Sequence, residues 1–306
     1  MNNTYQIQYL THNNIDKIKW DKCISQSPNG LIYGYSFYLD HMARHWDALV
    51  LNDYEAVMPL TWNKKFGINY LYQPFLTASL GIFGRFMTRE LVTAFLVAIP
   101  KKFRYRDIYL NAANLFHPVG SNVYQRTNYI LALYRPYTDL FNNFRPVYRQ
   151  LLKNSASQLL LQKDISIDDI LALARKKTDS VSATKQQDYK NFRRLYNVLI
   201  KMGKVVNYGA YTTTNDLVAS GVFFFSHNRA YYILAGNDPS GRVLSASHHI
   251  INSFIKDHAG KGLILDFEGS DIESIAFFFR GFDAKEEKYP CIKYNHLPFP
   301  LKWLKK

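Results

Sequence analysis

The feature that most constrains this chain is a pattern written twice: residues 68–133 and 230–294 present the same order of elements. The first copy runs strand-like INYLYQ, a glycine-bearing connection LGIFGR, helix-like TRELVTAFLVAIPKK, strand-like RDIYLNAAN, then YQRTNYILALY. The second runs AYYILAGN, the connection DPSGR, helix-like VLSASHHIINSFIKDHAGK, strand-like GLILDFEGS, a further helix DIESIAFFFRGF, then YPCIKYN. A strand that feeds a helix returning to a neighbouring strand builds one layer of sheet covered by helices, so two such units predict two related half-molecules. The length of 306 residues agrees, because one core rarely grows that large.

Hydrophobic residues make up 47% and aromatics 16%, with 23 Tyr and 21 Phe, which predicts a globular protein with aromatic cores. The net charge of +14 is uneven. Residues 1–140 carry 14 basic and 9 acidic side chains and residues 141–306 carry 24 and 15, so the excess is +5 and +9. Such a surplus favours anionic partners such as phosphate-bearing cofactors, nucleic acid or membrane headgroups, although the basic residues are scattered and form no tract. Cys23 and Cys291 lie far apart without metal-ligand spacing, which argues against a disulfide framework or a zinc site. The opening MNNTYQIQYLTHNN lacks a basic n-region followed by an apolar run, and LVTAFLVAI is too short to span a bilayer; a soluble, cytoplasmic protein without stable membrane insertion is expected.

Ahead of the first copy the pattern predicts a strand over 5–10, a short helix over 16–25 ending at Pro28-Asn29-Gly30, a helix over 35–45, and a hairpin turning at Asn52-Asp53. Residues 137–150, with Pro146 and mixed polarity, are expected to cross between the halves. Helices are predicted over 166–177 and through YKNFRRLYNVLIKMGK, where Phe192, Leu195, Tyr196, Leu199 and Met202 form one stripe. VVNYGAYTT, LVASGVFFFSH and AYYILAGN then predict an antiparallel meander.

The second half therefore reads as helix, three antiparallel strands, a glycine-bearing turn, a helix, a strand ending in acidic residues, a helix and a final strand. The stretch AGNDPSGRVLSASHHIINSFIKDHAGKGLILDFEGSDIESIAFFFRGFDAKEEKYP, above all LDFEGS and FFFRGFDAK, resembles the Gcn5-related acyltransferase (GNAT) fold. The duplication resembles the FemAB-like branch, in which two such domains lie in tandem. The resemblance implies an α+β (mixed α/β) fold with two tandem GNAT-like domains, each a mostly antiparallel twisted sheet flanked by helices. The domains expected are a degenerate one over 1–140 and, over 141–306, one with the donor and catalytic site.

It further implies that the turn before the central helix binds an acyl donor's pyrophosphate through backbone N–H groups, within a Q/R-x-x-G-x-G/A signature. Helix N-termini favour anions in any case. The corresponding turn is Asn237-Asp238-Pro239-Ser240-Gly241-Arg242, which keeps one glycine and one arginine, and the donor-binding residues expected are Asn237, Ser240, Gly241 and Arg242. Ser240 as a plain helix cap explains the same turn.

Asp266 and Glu268 lie two apart at the carboxyl end of a predicted strand, so alternation is expected to put both on one face, near where ligands of α/β sheets often sit. Glu268 is the first candidate for the base that takes a proton from an attacking amine, with Asp266 beside it; helix capping or a pair with Arg280 is the competing role for either. His248, ahead of His249 on the central helix, is the alternative base. The first-half counterpart of LDFEG is LNAAN, residues 110–114, which carries no carboxylate and leaves that half for recognition or scaffolding. His117-Pro118 and His296 fall in turn-like sequence, and motifs of ATPases, zinc hydrolases and serine hydrolases are absent.

The function expected is transfer of an acyl or aminoacyl group, from acyl-CoA or aminoacyl-tRNA, to an amine on a small molecule or cell-envelope precursor, with no metal. FemAB-like relatives that use aminoacyl-tRNA carry a long helical-hairpin arm; residues 155–204, interrupted at 178–188, look too short for it, which favours acyl-CoA while the charge keeps tRNA open. The competing expectation is a non-catalytic basic RNA- or nucleotide-binding module, or a scaffold with a degenerate GNAT fold.

Overall fold

The computed structural model describes residues 6–116, 122–178, 186–269, 271–299 and 302. His117-Pro118, and the expected helix interruption except for Thr178 and residues 186–188, lie outside them. The chain begins with β1 (Ile7–Leu10), α1 (Lys17–Gln26), α2 (Ser36–Met42), β2 (His45–Leu51) and β3 (Ala56–Lys65). It continues through β4 (Ile68–Leu71), β5 (Phe83–Gly84), α3 (Arg89–Ala98), β6 (Phe103–Tyr109) and β7 (Asn122–Ala132). Then come α4 (Tyr137–Asn142), α5 (Pro146–Asn154), β8 (Leu159–Lys163), α6 (Ile167–Thr178), α7 (Gln186–Lys201), β9 (Val205–Thr212), β10 (Leu217–Ser226) and β11 (Arg229–Asn237). The last elements are α8 (Pro239–Val243), α9 (Ala246–His258), β12 (Ile264–Asp266), α10 (Glu273–Arg280) and β13 (Lys285–Asn295).

Two compact units form, one of Met1–Arg126 with Lys288–Lys306, the other of Thr127–Glu287. The expected division was between 140 and 141. The difference has a definite source in the strands that end the two copies. In the first unit, β4 pairs in parallel with β6 across α3, and the chain's last strand lies antiparallel on β6, with Ile292 opposite Ile108. In the second unit, β11 pairs in parallel with β12 across α9, and β7 lies antiparallel on β12, with Leu131 opposite Leu265. Each copy therefore builds its own strand–helix–strand core, and its closing strand completes the sheet of the other. Apart from these parallel pairs, the described ladders within each unit are antiparallel, as in β1–β2–β3–β4 and in β8–β9–β10–β11.

Local chemistry explains the elements. Asp16 caps α1 by accepting from the N–H groups of Ile18 and Lys19, and Thr88 caps α3 through Leu91. The stripe on α7 buries Phe192, Leu195, Tyr196 and Leu199, while Met202 emerges at the helix end, 45% exposed. Residues 137–150, expected to cross between the halves, fall within the second unit: Pro146 opens α5 at its first turn, where a missing N–H costs nothing, and Leu140, Phe144 and Tyr148 join the second core. In that core α9 lies on β10, with Phe254 stacked on Phe223 at 3.9 Å. Gly221 permits the approach, since a Cβ there would sit 2.8 Å from Ile250. The first unit has a separate core in which Val92 and Phe95 of α3 pack with Leu71, Phe103, Ile108 and Ile292. Cys23 and Cys291 are free and buried, and burial pushes the Cys23 thiol up to about 11. Among the described residues no helix is long and apolar enough to cross a membrane.

Because β13 completes the first sheet, a chain ended at Glu287 is expected to lose hydrogen-exchange protection along β6 while β9, β10 and β11 stay protected. Unchanged protection at residues 105–109 would refute this use of β13.

Candidate active site

The site grows from unequal strand lengths. β12 pairs with β11 only from Arg229–Ile264 to Tyr231–Asp266, whereas β11 continues to Asn237. The stretch after Tyr231 therefore runs past the end of its neighbour, and a cavity of about 290 Å3 opens beside it. Tyr232, Ala235 and Asn237 of β11 form one wall, Arg242 and the start of α9 a second, and Ile275, Phe278 and Phe279 of α10 a third.

Three of the expected residues meet here: Asn237, Arg242 and His248. The Asn237 Oδ1 is buried and has no hydrogen-bond partner among the described residues. Arg242 is exposed, and among the described residues no carboxylate pairs with it. His248 packs edge-on against Tyr148 at 4.5 Å and Phe278 at 4.8 Å. Burial is the main cause that lowers its pKa from 6.5 to about 4, so its imidazole is neutral near pH 7. His249, one residue on, turns into the interior, where its Nε2 lies 2.9 Å from the Ser155 hydroxyl; the 100° step of the helix separates the two.

The turn differs from its expected use. Asp238, not Ser240, caps α8, accepting the Gly241 N–H at 2.8 Å. That N–H is consequently spent within the turn, and Ser240 is exposed. Gly241 is required for space, because a Cβ would lie 2.3 Å from the Val218 carbonyl oxygen and 2.4 Å from Asn237 Oδ1. The helix start that faces the cavity is instead that of α9. Ser245 precedes it in the left-handed region (φ 55°), and its carbonyl accepts the His248 N–H, while the first residues Ala246 and Ser247 have no helical partner for theirs. Ser245 and Ser247 both line the cavity.

The two acidic candidates lie outside its lining. β12 ends at Asp266, so the alternation expected to put Asp266 and Glu268 on one face does not extend to Glu268. Asp266 is 4% exposed and bonds Arg229 at 2.6 Å and the Glu268 N–H at 2.9 Å. Arg229 also forks onto Glu287, both contacts at 3.0 Å, and Asn128 donates to Glu287 at 3.2 Å. Arg280, the expected partner, pairs with Glu273 instead. Burial pushes Asp266 up against the pull of Arg229, and Arg229 holds Glu287 below its usual range against its own burial. The strand end thus serves an ion network that sequence did not reveal, since its members lie 37 and 58 residues apart and no local motif joins them. Glu268 adopts φ 66° and Gly269 φ 74°, a left-handed pair in which Gly269 runs against the Thr127 carbonyl. Burial raises the Glu268 pKa well above the ordinary carboxylate value. No group of three or more His, Cys, Asp or Glu suited to a metal occurs among the described residues.

Comparison with known proteins decides the architecture. No family model matches the sequence, and no curated protein matches it. Solved structures do: FemX superposes with a TM-score of 0.67 at 11% identity, over 97% of this chain and 99% of that one. The chain has a tandem GNAT fold of the FemAB type. A tandem GNAT protein from the clavulanic acid biosynthesis pathway matches at 0.53 and 9% identity, over 96% of this chain and 99% of its own. A C-terminal domain assigned as lysylphosphatidylglycerol synthetase from Agrobacterium fabrum matches at 0.52 and 10%, over 94% of each. At these identities the likeness is one of fold, and in this tandem GNAT fold the described cavity lies where the second copy's β11 outruns β12.

Two outcomes follow from the buried groups. Arg229→Ala leaves the buried Asp266 and the half-buried Glu287 without their cation and is expected to cost about 3–5 kcal/mol in denaturant unfolding; a loss below 1 kcal/mol would contradict the network. His248 has a folded pKa below its unfolded one, so the unfolded chain takes up the proton first as pH falls. Stability is therefore complete above about 6.5 and declines toward pH 4. His248→Gln is expected to flatten this decline, checked by melting temperature from pH 7 to pH 4.

Proposed function

We propose that the second unit is an N-acyltransferase that moves an acyl group from acyl-CoA to an amine. The observation that carries this is the convergence, on one cavity, of an arginine without an ion-pair partner among the described residues, an open first turn of α9 and the stretch of β11 that outruns β12. In the proposed complex Arg242 and the N–H groups of Ala246 and Ser247 hold donor phosphate; the guanidinium gives a charge-assisted pair and the helix start its positive dipole end. A cavity of about 290 Å3 accommodates the thioester arm, while the nucleotide end remains outside beside exposed Arg242. The acceptor amine adds to the thioester carbonyl, whose oxygen is stabilised by N–H groups along Tyr232–Asn237. The new C–N bond forms, the C–S bond breaks, and the proton lost by nitrogen passes to the leaving thiolate through a water held by Glu268, whose carboxylate lies outside the cavity lining. A carboxyl raised by burial suits that transfer better than His248, whose conjugate acid is too strong to retain a proton near pH 7. FemX and the synthetase-like domain among the structural neighbours support a transferase and keep an aminoacyl-tRNA donor and a cell-envelope acceptor within the same reading.

Thermal-shift titration of the full chain with acetyl-CoA, longer acyl-CoAs and bulk tRNA tests the donor, because a ligand specific to the folded state raises its melting temperature. Stabilisation by a CoA ester that weakens at least about tenfold in Arg242→Ala is expected, matching the loss of one charge-assisted pair. A shift with tRNA alone would replace the donor, and no shift with either would remove the transferase reading. In turnover, Glu268→Gln is expected to lower kcat with little change in donor affinity; normal turnover of this variant alongside an inactive His248→Gln would move the proton transfer to His248.

A further inference from the structure

The first unit holds a larger cavity, of about 510 Å3, within the range of small-molecule sites. Its floor is the face of β6 that carries Tyr105, Asp107 and Tyr109; the intervening Ile108 points to the core. Tyr70 of β4 and Tyr72 just after it line the cavity as well, and the hairpin tip before β4 adds Phe66. That tip is a two-residue turn with φ 50° at Phe66 and 77° at Gly67, and Phe66 is 79% exposed at the mouth. Among the described residues five aromatic rings and one carboxylate therefore line the cavity, with a single cation, Lys65, out at the exposed hairpin tip, its Nζ 5.4 Å from the centre of the Phe66 ring.

Among the described residues Asp107 is the only acid in the lining. Its oxygens accept from the Tyr124 hydroxyl at 3.0 Å and the Tyr105 hydroxyl at 3.4 Å. Among the described residues no cationic side chain forms an ion pair with it, although the chain carries a net charge of +14. Ionised carboxylates have about four acceptor positions, so two phenols leave it under-used. Faces of tyrosine and phenylalanine attract cations through their ring quadrupoles, and a carboxylate adds a full opposite charge. An anion would meet Asp107 unfavourably here, and a neutral aromatic ligand would leave the carboxylate without a counter-charge.

We propose that this cavity binds a small molecule bearing an ammonium group on an aromatic or apolar body, with Asp107 as counter-charge and the tyrosines as its cage. The binding does not require the transferase activity proposed above, although protonated acceptor amines belong to the same ligand class. Isothermal titration of the full chain with benzylamine and benzyltrimethylammonium, against the neutral benzyl alcohol and the anionic benzoate, tests it. The cations are expected to bind at least about tenfold more tightly than the alcohol, and benzoate not at all, a difference that Asp107→Asn abolishes. The amide can still accept from Tyr124 and so keep the fold, and Tyr70→Leu, which leaves the carboxylate untouched, is expected to weaken the cations severalfold. Equal affinity for amine and alcohol, retained selectivity in Asp107→Asn, or no amine binding at millimolar concentration would each overturn the proposal. None of these readouts depends on CoA or on turnover, so failure here and failure of the acyltransferase reading are separable.

Discussion

A guanidinium held between a buried and a half-buried carboxylate organises the second unit. Arg229 starts β11, Asp266 ends β12, Glu287 lies in β13, and Asn128 of β7 completes the set. Four strands thus converge on one charge, and each carboxylate is tolerable in the interior because the arginine is there. The same network stops β12 short, with Asp266 turned toward Arg229 and back onto the Glu268 N–H. The following residues turn away in the left-handed conformation. β11 is left to run on beside β10 only, and the cavity exists because of that early stop.

Much of the fold was legible in the sequence. The repeat predicted two strand–helix–strand units, and both exist as parallel pairs spanned by α3 and α9. Hydrophobic stripes and caps are local quantities, so α1, α3, α7 and the β9–β10–β11 meander fell close to their expected places. The destination of the closing strands was not legible. YQRTNYILALY reads as a strand wherever it goes, and nothing in its alternation specifies that it pairs with β12 rather than with a strand of its own copy. Residues 137–150 were misread for a related reason: their apolar residues look irregular until Leu140, Phe144 and Tyr148 are seen around Phe282 and His248.

The candidate site divides in the same way. Asn237, Arg242 and His248 were chosen from the turn and helix start, and all three line one cavity. Asp266 was chosen for its place at a strand end, but its long-range partner Arg229 gives it a binding role within the protein. Gly241 was chosen for an N–H that Asp238, three residues earlier, takes for itself. Side-chain chemistry was therefore readable, whereas which hydrogen bonds were already spent was not.

By itself the sequence determined the strand and helix periods, the twofold pattern, the capping residues and the difference between an acidic LDFEG and a neutral LNAAN, because each depends on neighbours within a few positions. Only the tertiary structure decided the exchange of closing strands, the burial that raises Glu268 and lowers His248, and the pairing of Asp266 with Arg229. Those outcomes depend on desolvation and on contacts between distant residues, and both come into being only when the sheets close.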